Sequence, residues 1–183
     1  ESGPVKVIHV AGSSGAGKSA VSRHLTQRGY RAVSTDGTPG LCRWVDRAGD
    51  EAVRPDHPDR AWLESHRWIW DAERLDGLIA EHSGPGTLFL CGSAANDGEF
   101  IDRFAATVLL AIDLPTMLVR LEYSARGNDF GRVGASRDQL IDQLASTQDD
   151  YRDRGALVVD ARADLDVVVD AILSSLEAGQ LLG

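Results

Sequence analysis

Short apolar runs rich in β-branched residues alternate along this chain with longer stretches in which apolar positions recur every three or four residues. That alternation is the signature of βα units wound around a parallel sheet, so the pattern predicts an α/β fold. Val5 to Val10 predicts a first strand that ends at Gly12, and Ser19 to about Arg28 a helix stopped by Gly29. Further strands are expected at Arg31 to Thr35, Thr87 to Cys91, Thr107 to Ile112 and Ala156 to Asp160, giving five in a parallel sheet. Helices are expected from Asp113 and Pro115 to near Ala125, from about Ser136 to Arg152, and from Asp164 to about Ala178.

Two stretches break the rhythm. From Asp36 to Asp59 the chain carries Gly37, Pro39, Gly40, Gly49, Pro55 and Pro58 without periodicity, which predicts a loop of the length that usually serves a site. After it Asp59 can cap one long helix through about His82, with Trp62, Ile69, Ala72, Leu75, Leu78 and Ile79 on a single stripe. No internal repeat or low-complexity segment interrupts the 183 residues, which suit a single domain.

Composition narrows the functional classes. With 28 acidic against 19 basic side chains the net charge is −9, the wrong sign for holding nucleic acid by its phosphates. The longest apolar runs, Leu109 to Leu114 and Val167 to Leu173, fall far short of the roughly 18 residues that cross a bilayer, so no membrane partner is expected. The opening Glu1-Ser2-Gly3-Pro4 lacks the basic-then-apolar layout of a signal peptide, and a cytoplasmic location is the expectation. Cys42 and Cys91 form no CxxC, and the five histidines are scattered, so no disulfide framework or metal cluster is assigned. Oligomeric state is not legible at this level.

The sharpest chemical signal is Gly12-Ser13-Ser14-Gly15-Ala16-Gly17-Lys18-Ser19, a glycine, four residues, then Gly-Lys-Ser, between a predicted strand and a predicted helix. Such a loop curls its N–H groups inward, so that amides and the positive helix end hold phosphate oxygens. Gly12, Ser14, Gly15, Ala16 and Gly17 are therefore expected to cradle ATP, Lys18 to reach its β- and γ-phosphates, and Ser19 to meet Mg²⁺. Guanine-nucleotide switches need a later Asn-Lys-x-Asp segment, which is absent, and the third strand runs into Cys91-Gly92 where motor ATPases carry an acid.

With these residues the chain resembles the small P-loop kinases, the superfamily of nucleoside monophosphate, shikimate and gluconate kinases. The resemblance spans nearly the whole chain: Leu110 to Leu121 looks like the fourth strand and lid-entry helix, and Arg126 to Arg132 like a shortened lid. It implies a three-layer fold, with an acceptor-site insertion at 36–82 and a lid at 126–136. It also implies that Arg126 and Arg132 bring positive charge onto the phosphates, and that the stretch holding Asp160 and Arg162 flanks the adenine. In the resembling sugar and shikimate kinases an acidic residue after the second strand contacts the acceptor hydroxyl or the Mg²⁺ shell, the place of Asp36 here. Shikimate kinases put two carboxylates there, and this chain has one. Asp36 is thus a candidate base, metal ligand and substrate contact, or else an Asp-Gly turn.

All four tryptophans fall between Asp36 and His82. Trp62 and Trp68 fit the apolar stripe and are expected in the core, whereas Trp44 and Trp70 are the candidates for stacking on a substrate ring. Arg43, Arg47 and Arg54 interleave with five acids, which reads as a mixed-charge loop and leaves a neutral hydroxyl acceptor in play. Gly92, at a strand's carboxyl end, lies where ligands enter parallel sheets. Arg120 is expected to pair within its own helix, with a residue such as Glu122. The expected function is transfer of the γ-phosphate of ATP to a small acceptor; the alternative is a nucleotide-binding sensor that acts through a protein partner.

Overall fold

The computed structural model of the chain describes residues 3–123 and 129–183. Its centre is a five-stranded sheet in the order β2-β6-β1-β7-β8, formed by Arg31–Ser34, Thr87–Cys91, Lys6–Ala11, Ala106–Ala111 and Leu157–Asp160, with every pair parallel. Strand β6 is buried at all five positions and β1 at five of six, as expected for strands covered on both faces. Alternate residues sort to the two faces. Ile8, Val10 and Phe89 pack with Val21 and Leu25 of α1 (Lys18–Gln27) and Ile172 of α6 (Leu165–Ala178). Val7, Leu88 and Leu90 pack on the opposite side with Leu75 and Leu78 of α3 (Ala72–Glu81), and Leu109 with Tyr151 of α5 (Gly134–Asp153). The result is three layers, helix on sheet on helix, with five parallel strands as the sequence predicts.

The segment after β2 differs from expectation. The supposed loop holds β3 (Cys42–Val45) and β4 (Glu51–Ala52), and the supposed long helix is broken into α2 (Arg60–Ser65), β5 (Arg67–Trp70) and α3. Together β4-β3-β5 form a small antiparallel sheet. The cause lies in Arg67-Trp68-Ile69-Trp70, where aromatic and β-branched side chains favour extended backbone over helix. His66 turns extended, with φ −127° and ψ 151°, and a new helix then starts where the Asp71 carboxylate accepts from the Arg74 N–H at 2.9 Å. The outer ends of the expected helix are sound: Asp59 accepts from the Trp62 N–H at 2.8 Å, and α3 closes at Glu81.

Past β6 the chain makes a short 3-10 helix, Asp97–Arg103, that periodicity did not announce. After β7, α4 (Leu114–Glu122) starts at Asp113, whose carboxylate accepts from the Thr116 N–H at 2.9 Å. Among the described residues no helix is long and apolar enough to cross a membrane.

Candidate active site

The phosphate loop leaves the carboxyl end of the central strand β1, in the crevice where parallel sheets take ligands. Gly17 stands at the N-cap of α1 with φ 96°, a left-handed conformation that a residue with a side chain adopts only at a cost. Lys18 folds back over the loop, its Nζ donating to the carbonyls of Gly12 at 2.7 Å and Ser13 at 2.8 Å. Two side chains from elsewhere fix the loop. Ser93, just beyond β6, bonds the Gly12 backbone through its hydroxyl, and Arg120 of α4 donates to the carbonyls of Gly15 at 3.2 Å and Ala16 at 3.3 Å. The same guanidinium reaches the Ala161 carbonyl at 2.7 Å, so the phosphate loop and the turn after β8 are tied together. Arg120 therefore bonds backbone carbonyls and not Glu122, which is taken by Arg137 at 2.9 Å.

Two cavities meet at this loop. The first, about 650 Å³, runs from Ser14 to Val21 across to Val119, Tyr123, Ala161 and Leu165. The second, about 820 Å³, opens on the other side, towards Trp44, Trp68, Phe130 and Tyr151. Ser14, Lys18 and Asp36 line both. The exposed Asp36 carboxylate is held from the second side by the Trp68 indole N–H, which donates to Oδ1 at 3.3 Å. The Cys42 thiol lies 3.9 Å from the same oxygen; burial, with the negative charge of Asp36 adding to it, pushes its pKa up to about 12. Cys42 is thus a neutral neighbour and not a nucleophile.

Ser19 and Asp36 line the first cavity together, and Asp36 is the only carboxylate among the described residues that does so. One hydroxyl and one carboxylate beside a phosphate loop suit Mg²⁺, which keeps waters and takes substrate phosphates as ligands. Among the described residues no group of three or more His, Cys, Asp or Glu stands ready to hold an ion without such help.

Of the other expected site residues, Trp44 lines the second cavity and Trp70 does not. Trp70 is 1% exposed, packed edge-on to His9 and against Phe100, and belongs to the core. Trp68 takes the place on the cavity that Trp70 was expected to hold, because burial rises along β5 from its exposed first residue to Trp70. Gly92 is likewise structural: a Cβ there would stand 1.6 Å from the Thr35 hydroxyl, and its carbonyl bonds the His9 ring at 2.8 Å. Its neighbour Ser93 reaches the cavity instead.

Arg162 is bound to Asp160 at 2.8 Å and Asp113 at 3.3 Å and holds the Asp160 carboxyl down at about 2. It lines neither cavity; Ala161 and Ala163 beside it line the first. Arg132 pairs with Asp129 at 2.8 Å, and Arg126 lies outside the described residues. Sequence reasoning passed over Arg120 as a loop clamp, Trp68 and Tyr151 as cavity walls, and Asp97. Asp97 is 2% exposed and accepts from the Tyr151 hydroxyl at 2.6 Å and Arg154 at 2.9 Å. A fixed charge at so buried a position has no periodic signal in the chain.

No known family profile and no curated protein matches the sequence. Solved structures do match in fold. A shikimate kinase from Acinetobacter baumannii in complex with shikimate aligns with a TM-score of 0.58 at 18% identity, covering 97% of this chain and 96% of that one. A gluconokinase from Sinorhizobium meliloti 1021 aligns at 0.56 and 18%, covering 94% and 92%. A deoxyadenosine kinase from M. mycoides with bound dATP aligns at 0.56 and 15%, covering 94% and 99%. The chain shares the fold of these three kinases. Within that fold the phosphate loop, its two pins and Asp36 stand at the junction of the two cavities, whereas the small antiparallel sheet supplies the outer wall of the second.

Proposed function

We propose that this protein is a small-molecule kinase that moves the γ-phosphate of ATP onto an oxygen of a small acceptor. The observation that carries the reading is that Lys18 and Asp36 line both cavities, so one ligand on each side would meet across them. In this scheme the amides from Gly12 to Ser19 and the positive end of α1 bind the phosphates, and the Lys18 ammonium leaves its carbonyl partners to follow the transferring group. Asp36 orients the acceptor hydroxyl and takes its proton as the new P–O bond forms and the bond to the β–γ bridging oxygen breaks. Ser19 and Asp36 are the residues that would hold Mg²⁺, which spreads the negative charge of the phosphates when bound.

The test is ADP release from Mg-ATP against nucleosides, nucleoside monophosphates, sugar acids and hydroxylated antibiotics, with Lys18→Ala as blank. Phosphate gained by one acceptor class, and lost with Lys18→Ala, is the expected result. Transfer that survives Lys18→Ala would sink the assignment. Tight ATP binding without transfer to any acceptor would favour a nucleotide sensor.

A further inference from the structure

We infer that the second cavity takes an acceptor with a flat conjugated ring, its hydroxyl presented to Asp36 and its ring face to Trp44 and Trp68. The inference rests on the kinase reading and narrows it. Trp44 and Trp68 are directly paired across β3 and β5, which puts both indoles on one face of the small sheet, 5.6 Å apart between ring centroids. Phe130 adds a third ring 6.0 Å from Trp44.

The wall is held in place from behind. Trp62 meets Trp44 edge-on at 5.0 Å and is itself stacked on His66 at 4.1 Å and 8°, while the His66 ring bonds the Trp62 carbonyl at 2.8 Å. Rings fixed in this way lose little freedom when a ligand covers them, which is what makes aromatic surface effective in binding. Trp70 is buried in the core, and Trp62, half-buried and not in the core as expected, does not line the cavity, whereas the half-buried Trp44 and Trp68 turn surface to the cavity that reaches Lys18 and Asp36. The Trp68 N–H on Asp36 joins the aromatic wall to the reacting end.

A polyol chain would meet indole faces that neither donate nor accept hydrogen bonds in the plane of its hydroxyls, whereas a flat ring would bury apolar area there. An organic cation is disfavoured because Arg54 already occupies the aromatic face from the protein side, its guanidinium carbon 5.6 Å from the Phe130 centroid. Arg54 lines the cavity, where its N–H groups can donate to a ring substituent. A nucleoside and a hydroxylated aromatic natural product share this chemistry, and the probes below tell them apart.

The experiment pairs calorimetric binding to the ADP-loaded protein with phosphate transfer from Mg-ATP, using adenosine and tyrosol as ring-bearing alcohols and gluconate and shikimate as non-aromatic ones. Tighter binding of adenosine or tyrosol is expected, and whichever of the two wins names the source. Trp44→Leu is expected to raise the Kd and KM for the ring compound roughly 5- to 150-fold, the range of losing one stacking partner, while kcat changes little. Trp44→Phe, which keeps a ring and controls for folding, should recover most of the loss. Preference for gluconate or shikimate, or a KM for the ring compound that ignores Trp44→Leu, would overturn the inference and leave the kinase reading standing. Ring compounds that bind through Trp44 and are never phosphorylated would uphold the ligand class and overturn the kinase reading; equal or absent binding of all four probes would overturn the ligand class.

Discussion

The Ser93 hydroxyl bonds both backbone groups of Gly12, accepting from its N–H at 3.1 Å and donating to its carbonyl at 3.0 Å. A loop built to wrap phosphate has few partners of its own, and here a side chain from the neighbouring strand end supplies two. Ser93→Ala leaves the Gly12 N–H without that acceptor, a loss of about 1–3 kcal/mol in stability. ATP affinity should fall several-fold, whereas Ser93→Thr keeps the hydroxyl and should stay near the wild type. Calorimetric titration of the three proteins with ATP reads the difference; equal affinities would mean that the loop holds its shape without the pin.

Asp36 lines both cavities. Asp36→Asn keeps the shape and the Trp68 contact but removes the charge and the base. Phosphate transfer should drop by roughly 10²-fold or more, with ATP binding in the absence of Mg²⁺ close to normal. Steady-state rates and metal-free binding separate the two effects, and a rate within threefold of the wild type would return Asp36 to a turn residue.

Asp97 collects the Tyr151 hydroxyl, the Arg154 guanidinium and the Ala94 N–H on one buried carboxylate. Burial, and next the charge of Asp97, push the Tyr151 hydroxyl well above its ordinary pKa, so it remains a neutral donor. Asp97→Ala strands the Arg154 charge and the Tyr151 hydroxyl together. The expected cost is roughly 3 kcal/mol, or a fall in Tm of about 6–12 °C. Chemical and thermal unfolding both test it; a loss below about 1 kcal/mol would show that water replaces the carboxylate at no great cost.

His9 adds a pH signature. Burial lowers its pKa below the ordinary 6.5, only partly opposed by Asp97 and the Gly92 carbonyl, and Arg154 and Lys18 lower it further. Between the unfolded value and the depressed folded one, the unfolded chain binds a proton that the native state refuses. Stability from this residue is therefore fully present above about pH 6.5 and is lost as pH falls towards the folded pKa. His9→Leu should flatten the pH dependence of unfolding between pH 7 and 5 by up to about 1.4 kcal/mol per pH unit. Parallel curves for the two proteins would remove His9 from the account.

Much of this architecture was legible in the chain because local and global preferences agree there. The phosphate loop is read from eight residues, and β6 from Thr87 to Cys91 because a strand buried on both faces is apolar at all but its first position here. The segment from Arg60 to Glu81 misled because Trp62, Ile69, Leu75 and Leu78 fit a helical stripe by spacing alone, while β-pairing to Cys42–Val45 decided the outcome. That misreading exchanged the roles of Trp68 and Trp70. Arg120 escaped for another reason: its partners are carbonyl oxygens, which every residue carries and no sequence displays.

That same arginine sets a length. Because one guanidinium bridges the Ala16 carbonyl of the phosphate loop and the Ala161 carbonyl of the turn after β8, two segments that both line the first cavity, their spacing is gauged by a rigid planar group rather than by flexible backbone. The cleft works as a caliper with a fixed jaw opening. Neither segment can shift alone without giving up a bond to Arg120, so the two sides of the cavity mouth move together or not at all.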